Sequence, residues 1–223
     1  MSLGEYIGAG SGTTKLLLHL NGNATDSSGN GNNGTVNGAT VVDGKFGKCY
    51  SFDGTNDVIN LGTGISLTNN FTISLFIKTT NTLNDKSIIS KENVGGDFPQ
   101  FLATLKSNGI ITFSLFATNS SPLYISLDSV SAINDGLYKN IILTRDGSFA
   151  NIYINGKFDS KMAWTNSQWN STANVCIGAS QSSSSFTKFL NCLIDEVIIE
   201  NVAWSAEKVK KYYTMAKGRF GIL

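Results

Sequence analysis

Apolar side chains recurring at every second position constrain this 223-residue chain more than any motif it carries. Phe71, Ile73, Leu75 and Ile77 alternate with Thr72, Ser74 and Lys78, while Phe76 sets an apolar side chain on the opposite parity. A period of two belongs to a strand with one buried face. Similar short runs lie at 15–20, 49–54, 57–62, 86–91, 100–105, 109–117 and 123–128. They resume at 140–145, 150–156, 174–179 and 193–200. Asp146-Gly147 and Asn155-Gly156 are two-residue turn signals, because both central positions tolerate positive φ, so 140–160 reads as consecutive hairpins. About a dozen short strands with no helix between them predict an all-β fold, an antiparallel two-sheet sandwich.

One helix is predicted at the C-terminal end. Ser205 is placed to cap it, Glu207 lies in its first turn, and Val209, Tyr212, Tyr213 and Ala216 follow helical spacing. Lys208, Lys210, Lys211 and Lys217 read as its solvated face, and Trp204 just before it reads as core.

A hydrophobic fraction of 41% is enough for a full core and excludes intrinsic disorder. A net charge of +1 offers no electrostatic attraction for nucleic acid, and no apolar run reaches the roughly 20 residues of a membrane-spanning helix. Neither nucleic acid nor membrane insertion is therefore expected. Residues 1–13, rich in Gly and Ser, read as a flexible lead-in or an expression scar, with 14–223 as a single domain and 181–186 (QSSSSF) as a loop within it. Cys49, Cys176 and Cys192 are too few and too scattered for a disulfide framework. Buried free thiols are the expected state, with a bridge between neighbouring strands as the other option. His19, the sole histidine, lies in a strand-like run and reads as a packing residue rather than a base.

Four ordered blocks resemble the laminin G-like (concanavalin A-like) jelly-roll family. They are DSSGNGNNGTVNGATVVDGKFGKCYSFDGTNDVINLG (26–62), FTISLFIKT (71–79), DGLYKNIILTRDGSFANIYINGK (135–157) and LNCLIDEVIIENVAWSAEKVKKYY (190–213). The chain departs from the family pattern at Tyr138-Lys139-Asn140, where Trp-His-His is usual, and at Ile198, where Arg is usual. The resemblance implies two curved antiparallel sheets in a jelly roll. It also implies a non-catalytic module of a secreted, cell-surface or virion-associated protein that binds glycan or a surface protein, often near a calcium ion. The alternative is a structural or adhesion domain of a phage virion or cell-surface assembly, working through protein–protein contacts.

Asp26, Asn30 and the glycines around them resemble the first half of a calcium loop, since oxygen-bearing side chains alternate before a Gly. Asn37 stands where an EF-hand needs a bidentate Glu, so one loop lacks the charge for calcium. Asp53 is a further ligand candidate, and Asp195 joins if the first and last strands are neighbours, as the resemblance implies. The competing reading is that Asp26 and Asn30 only hydrogen-bond their own turn. For the ligand, Trp164 and Trp169 flank Asn166 and Gln168 in a polar stretch, a combination suited to stacking on sugar C–H faces and reading hydroxyls. The opposing reading has one or both indoles covering a core edge. Phe98 and Tyr124 are weaker candidates. Glu196 and Glu200 share a strand, but i and i+4 lie roughly 13 Å apart, too far for a retaining hydrolase pair, so no enzyme activity is expected.

Overall fold

The computed structural model describes residues 12–94, 99–118 and 123–219. In chain order its strands begin with β1 (Thr14–Leu18), β2 (Thr35–Asn37), β3 (Thr40–Asp43), β4 (Lys48–Asp53), β5 (Val58–Asn60) and β6 (Asn70–Lys78). They continue with β7 (Lys86–Lys91), β8 (Asn93–Val94), β9 (Phe101–Leu105), β10 (Ile111–Phe116), β11 (Tyr124–Asp128) and β12 (Lys139–Asp146). The last are β13 (Phe149–Ile154), β14 (Lys157–Ala163), β15 (Val175–Ile177), β16 (Ser180–Ser182), β17 (Ser185–Thr187) and β18 (Asn191–Glu200), before helix α1 (Ala206–Arg219).

Two antiparallel sheets face each other. The front sheet runs β14-β13-β12-β6-β18-β4-β3, with β1 also paired to β18, and the back sheet runs β11-β10-β9-β7-β15-β5-β2. The alternating residues do what their period demands: Ile73, Leu75 and Ile77 of β6 meet Phe101, Phe113 and Leu115 of the back sheet in one buried core. Phe71 and Phe113 join the layers edge to face, with ring centroids 6.4 Å apart. The expected two-sheet jelly roll is the observed architecture.

Strand β18 reaches across the front sheet and changes partner halfway. Residues 191–194 pair with β4, and 197–200 pair with β1, while β6 lines its other edge. A bulge between Asp195 and Ile198 adds one residue to β18. Ile194, Val197 and Ile199 all point into the core, which an unbroken alternation forbids, since 194 and 197 have opposite parity. The bulge resets the count. Glu196, at its apex, takes φ 47° and is drawn out of the inward-facing set.

The outer face of the front sheet is apolar too, and α1 covers it. Leu17, Phe76, Ile142, Tyr153 and Ile198 pack against Trp204, Val209, Tyr212 and Ala216. Phe76 is thus the off-parity residue of β6 because it faces the helix. Ser205 caps α1, its hydroxyl accepting from the Lys208 N–H at 3.2 Å. Trp204 is core, as expected, and Tyr213 is half-buried at the helix edge.

Four of the short strands, β2, β3, β16 and β17, have no clear periodic signal in the sequence. Residues 181–186, expected as a loop, belong to the β16–β17 hairpin, whose pairing with β8 is parallel. Its serines carry no apolar alternation, so tertiary contact alone makes it a strand pair. Nearby Phe186 and Phe189 lie over Val58, Cys176 and Ala179 on the outer side of the back sheet. All three cysteines are buried free thiols, and Cys176 and Cys192 are not bridged.

Asn155 and Gly156 both take positive φ (52° and 73°) in the two-residue β13–β14 turn. A Cβ on Gly156 would sit 2.6 Å from the Tyr213 Cβ, so this turn docks directly under α1. Gly156→Ala is expected to cost about 2 kcal/mol, combining left-handed backbone strain with overlap against Tyr213. Urea denaturation of the two proteins checks it, and an unchanged midpoint would refute the docking argument.

Candidate functional site

The β10–β11 edge of the back sheet presents an ordered row of polar and aromatic groups. Ile111, Phe113 and Leu115 point inward, which sends Thr112, Ser114 and Phe116 outward. In β11, Ile125 and Leu127 point inward, so Tyr124, Ser126 and Asp128 face out beside them. The register sets Phe116 opposite Tyr124, Ser114 opposite Ser126, and Thr112 opposite Asp128. Each pair touches. The two rings stack with centroids 5.7 Å apart and 26° between planes, and the two serine hydroxyls are 2.8 Å apart. Thr112 Oγ1 donates to Asp128 Oδ1 at 2.7 Å, and Lys106 Nζ donates to Asp128 Oδ2 at 2.6 Å, which holds the carboxyl below its usual range against the desolvation of partial burial. Tyr124 is 59% exposed. The result is a ladder with an aromatic end and a hydroxyl rung in the middle, Ser126 exposed and Ser114 buried beneath it.

The 164–170 segment borders this ladder. Trp169 N–H donates to the Phe116 carbonyl at 2.9 Å, and Ala117 bridges Gln168. Trp169 and Asn166 are half-buried there. Two of the candidate ligand-reading residues are corrected. Trp164 is 3% exposed and belongs to the main core, because its large apolar ring closes the sandwich where β14 ends, so it offers no stacking face. Gln168 is buried, and its Nε2 donates to the carbonyls of Gln100 and Phe116, so it ties strands together instead of reading hydroxyls. Phe98 lies outside the described residues.

Arg145 is the residue that sequence reasoning passed over. It is wholly buried, and its guanidinium donates to the carbonyls of Asn69 (2.6 Å) and Asn166 (2.5 Å), fixing the segment that carries Trp169. Burial pulls its pKa down to about 10. Nothing in the local pattern TRDG distinguishes it from a solvent-facing turn arginine.

The four residues considered for calcium do not form a ligand set. Asp26 Oδ1 accepts from the N–H groups of Leu17 and Ser28, and Oδ2 accepts from Ser28 Oγ and the Asn32 N–H. Its four lone-pair sites are thus filled by donors that a cation would have to displace. Asn30 turns its Nδ2 to the Thr14 carbonyl and Ser28 Oγ. The pairing separates the others: Asp53 lies opposite Asn191, whereas Asp26 bridges Leu18, itself opposite Val197. Six residues of strand span roughly 20 Å, far beyond one coordination sphere. Strands β1 and β18 are neighbours as the resemblance implies, yet Asp195 sits in the bulge, where its Oδ2 accepts the Phe46 N–H at 2.9 Å. Among the described residues no three His, Cys, Asp or Glu side chains converge. The loop 26–33 is a hydrogen-bonded turn that ties itself to β1.

The carboxylates of β18 are also committed to structure. Glu200 is fully buried and accepts from Trp204 Nε1 (2.5 Å), Lys208 Nζ (3.1 Å) and Thr14 Oγ1 (3.4 Å). Glu196 is buried beside His19, with its Oε2 3.0 Å from Nδ1. That contact explains the histidine as a packing partner.

Asp195 generates a pH signature. Desolvation pushes its carboxyl up to about 7, outweighing the Phe46 N–H bond, which lowers it; the Glu196 charge raises it further. The folded state therefore keeps a proton between about pH 4 and 7 that the unfolded chain has released, and this group's contribution to stability falls as pH rises through that window. Asp195→Asn removes the slope. The variant is expected to gain on the native protein by up to about 1.4 kcal/mol per pH unit from pH 4 to 7, read by urea denaturation, and parallel curves would refute it. Millimolar calcium, added to chelator-treated protein, is expected to leave Tm unchanged, and a rise of several degrees would reinstate a calcium site.

A laminin G family model, described as the concanavalin A-like lectin/glucanases superfamily, matches residues 53–210. No curated protein matches the chain. Among solved structures, the binding domain of Paraclostridial Mosquitocidal Protein 1 is similar at TM-score 0.73 and 16% identity, with 92% of this chain and 52% of that one covered. Domain 4 of AbnA, an extracellular GH43 arabinanase from Geobacillus stearothermophilus solved with arabinotriose, gives 0.71 and 19%, covering 90% and 98%. The Botulinum neurotoxin serotype G binding domain gives 0.67 and 19%, covering 90% and 50%. The chain therefore spans about half of either toxin binding domain and nearly the whole of the arabinanase domain. At these identities the likeness establishes the fold, and the family pattern, running from the end of β4 into α1, establishes descent: the chain belongs to the concanavalin A-like lectin/glucanases superfamily.

Proposed function

We propose that this chain is a non-catalytic carbohydrate-binding module of an exported or surface-displayed protein, with the β10–β11 ladder as its sugar platform. The observation that carries the reading is Tyr124, a 59% exposed ring braced by Phe116 and continued by the Ser114–Ser126 and Thr112–Asp128 rungs, which follow at about 7 Å, two residues of strand apiece. An aromatic face takes the C–H surface of a pyranose or furanose, and the exposed Ser126 hydroxyl, with Thr112 and Asp128, exchanges hydrogen bonds with the sugar, while the buried Ser114 hydroxyl orients Ser126 from beneath. Trp169 borders the aromatic end. Support also comes from a neighbour of the same architecture and nearly the same extent, solved with arabinotriose.

The carboxylates of β18 favour binding over hydrolysis, since Glu196 is buried against the His19 ring and Glu200 is buried in an ion pair with Lys208. No helix among the described residues is long and apolar enough to cross a membrane. The protein-contact reading rests on one feature, the exposed Leu123 beside Tyr124, an apolar pair that a protein partner would cover.

Screening against neutral oligosaccharides, arabinotriose among them, is expected to yield a micromolar-to-millimolar binder. Tyr124→Ala should weaken it about tenfold or more, the ~1–2 kcal/mol expected of an aromatic platform, without lowering Tm. Binding indifferent to Tyr124→Ala moves the site elsewhere. Absence of any neutral ligand, with self-association in light scattering, would replace the glycan reading by the adhesion one.

A further inference from the structure

A basic groove runs along the opposite side of the molecule, between α1 and the front sheet. One part is a cavity of about 350 Å³ walled by Phe46, Tyr138 and Tyr213 and rimmed by Lys45, Lys78 and Lys217. A second part, about 490 Å³, continues it past Lys157 and Phe158. The two share Lys139, Asn155, Tyr213 and Lys217, so they form one trough. Lys45 Nζ and Lys78 Nζ lie 5.7 and 5.9 Å from the centre of the Tyr138 ring.

These charges are not neutralised locally. No carboxylate among the described residues lies in ion-pairing distance of Lys45, Lys78, Lys157 or Lys217. Of the acids nearby, Asp43 pairs with Lys48 and Asp135 with Lys139; Asp159, which lines the second part, turns its oxygens to the N–H groups of Val130 and Ser131 and leaves the lysines in the majority. Partial burial makes the Lys45 ammonium costlier to keep charged and lowers its pKa, a cost that a bound anion offsets. In a chain of net charge +1, four unpaired lysines along one trough are a local concentration of charge that the overall balance conceals.

We propose that this groove binds an acidic oligosaccharide, a chain whose successive sugars carry carboxylate or sulfate groups. The ammonium groups of Lys45, Lys78, Lys217 and Lys157 would take the anions, while the rings of Tyr138, Tyr213 and Phe158 supply apolar faces for the sugar carbons. The trough is long enough for a chain, since two adjoining cavities would each hold part of it. The bulge of β18 builds the groove: Asp195 holds the Phe46 N–H, and through it the turn that carries Lys45.

The site is distinct from the β10–β11 platform and is tested apart from it. Calorimetric titration uses an oligogalacturonate and a heparin-derived tetrasaccharide as the carboxylated and sulfated probes, with maltotetraose as the neutral one. Either acidic probe is expected to bind with an affinity that falls as NaCl is raised, and the better of the two identifies the anion. The double variant Lys45→Ala/Lys78→Ala, and separately Lys217→Glu, should each weaken binding about tenfold or more with Tm unchanged, while Tyr124→Ala leaves it intact. The proposal is overturned if neither acidic probe binds, if maltotetraose binds equally well to the Tyr124→Ala variant, in which the other platform is removed, or if the lysine variants bind the acidic probes as the native protein does. Displacement by inorganic sulfate or by a single-stranded oligonucleotide at similar concentration would equally overturn it, because the groove would then read charge without sugar.

Discussion

One extra residue in β18, between Asp195 and Ile198, lets a single central strand serve two apolar surfaces at once. A strand through the middle of a sheet has two faces, and β18 must serve a core on one and a helix on the other. Ile194, Val197 and Ile199 can all face inward only because the chain between Asp195 and Ile198 spends one residue out of register with β6. The same step lets β18 leave β4 and take β1 as its partner. It leaves Asp195, Ile198 and Glu200 on the helix side, each with a separate task. Ile198 meets α1, Glu200 gathers Thr14, Trp204 and Lys208, and Asp195 holds the turn at Phe46.

Helix α1 follows from that arrangement. Its own residues, four lysines among them, would not keep a 14-residue helix folded in water. Packing does: Val209, Tyr212 and Ala216 lie on an apolar patch to which β1, β6, β12, β13 and β18 each contribute one side chain. The helix covers the patch incompletely, and the uncovered strip beside Tyr213 is the basic groove. The two outer faces of the sandwich therefore differ in chemistry. The back sheet presents hydroxyls and an aromatic pair, and the front sheet presents ammonium groups around aromatic walls.

The candidate site was only partly legible before folding. Tyr124 is visible as a strand residue, but its value as a platform depends on Phe116 standing opposite, and that register is set across a connection whose length does not fix it. Trp164 and Trp169 look alike in the polar stretch KMAWTNSQWNST, yet one closes the core and the other borders the surface. Asp26 shows the converse. Its spacing with Asn30 suits a cation, but backbone N–H groups from β1 and its own loop had already filled its oxygens. An oxygen-rich motif says nothing about which donors arrive from elsewhere in the chain.

Alternation at period two is enough to say that the chain forms strands and that Phe76 faces away from its neighbours' core, and a dozen short strands with no helix between them are enough for two facing sheets. Turn chemistry at Asn155-Gly156 and the cap at Ser205 are equally local, since each depends on the φ or the hydroxyl of one or two residues. Tertiary structure alone decided where charge and aromatic surface gather. Lys45, Lys78, Tyr138 and Lys217 span 173 positions of the chain, and only the packing of α1 on a bulged, repaired sheet brings them to one trough. Periodicity records what each residue does relative to its neighbours in sequence, whereas a binding surface is made by residues that become neighbours only when the core closes.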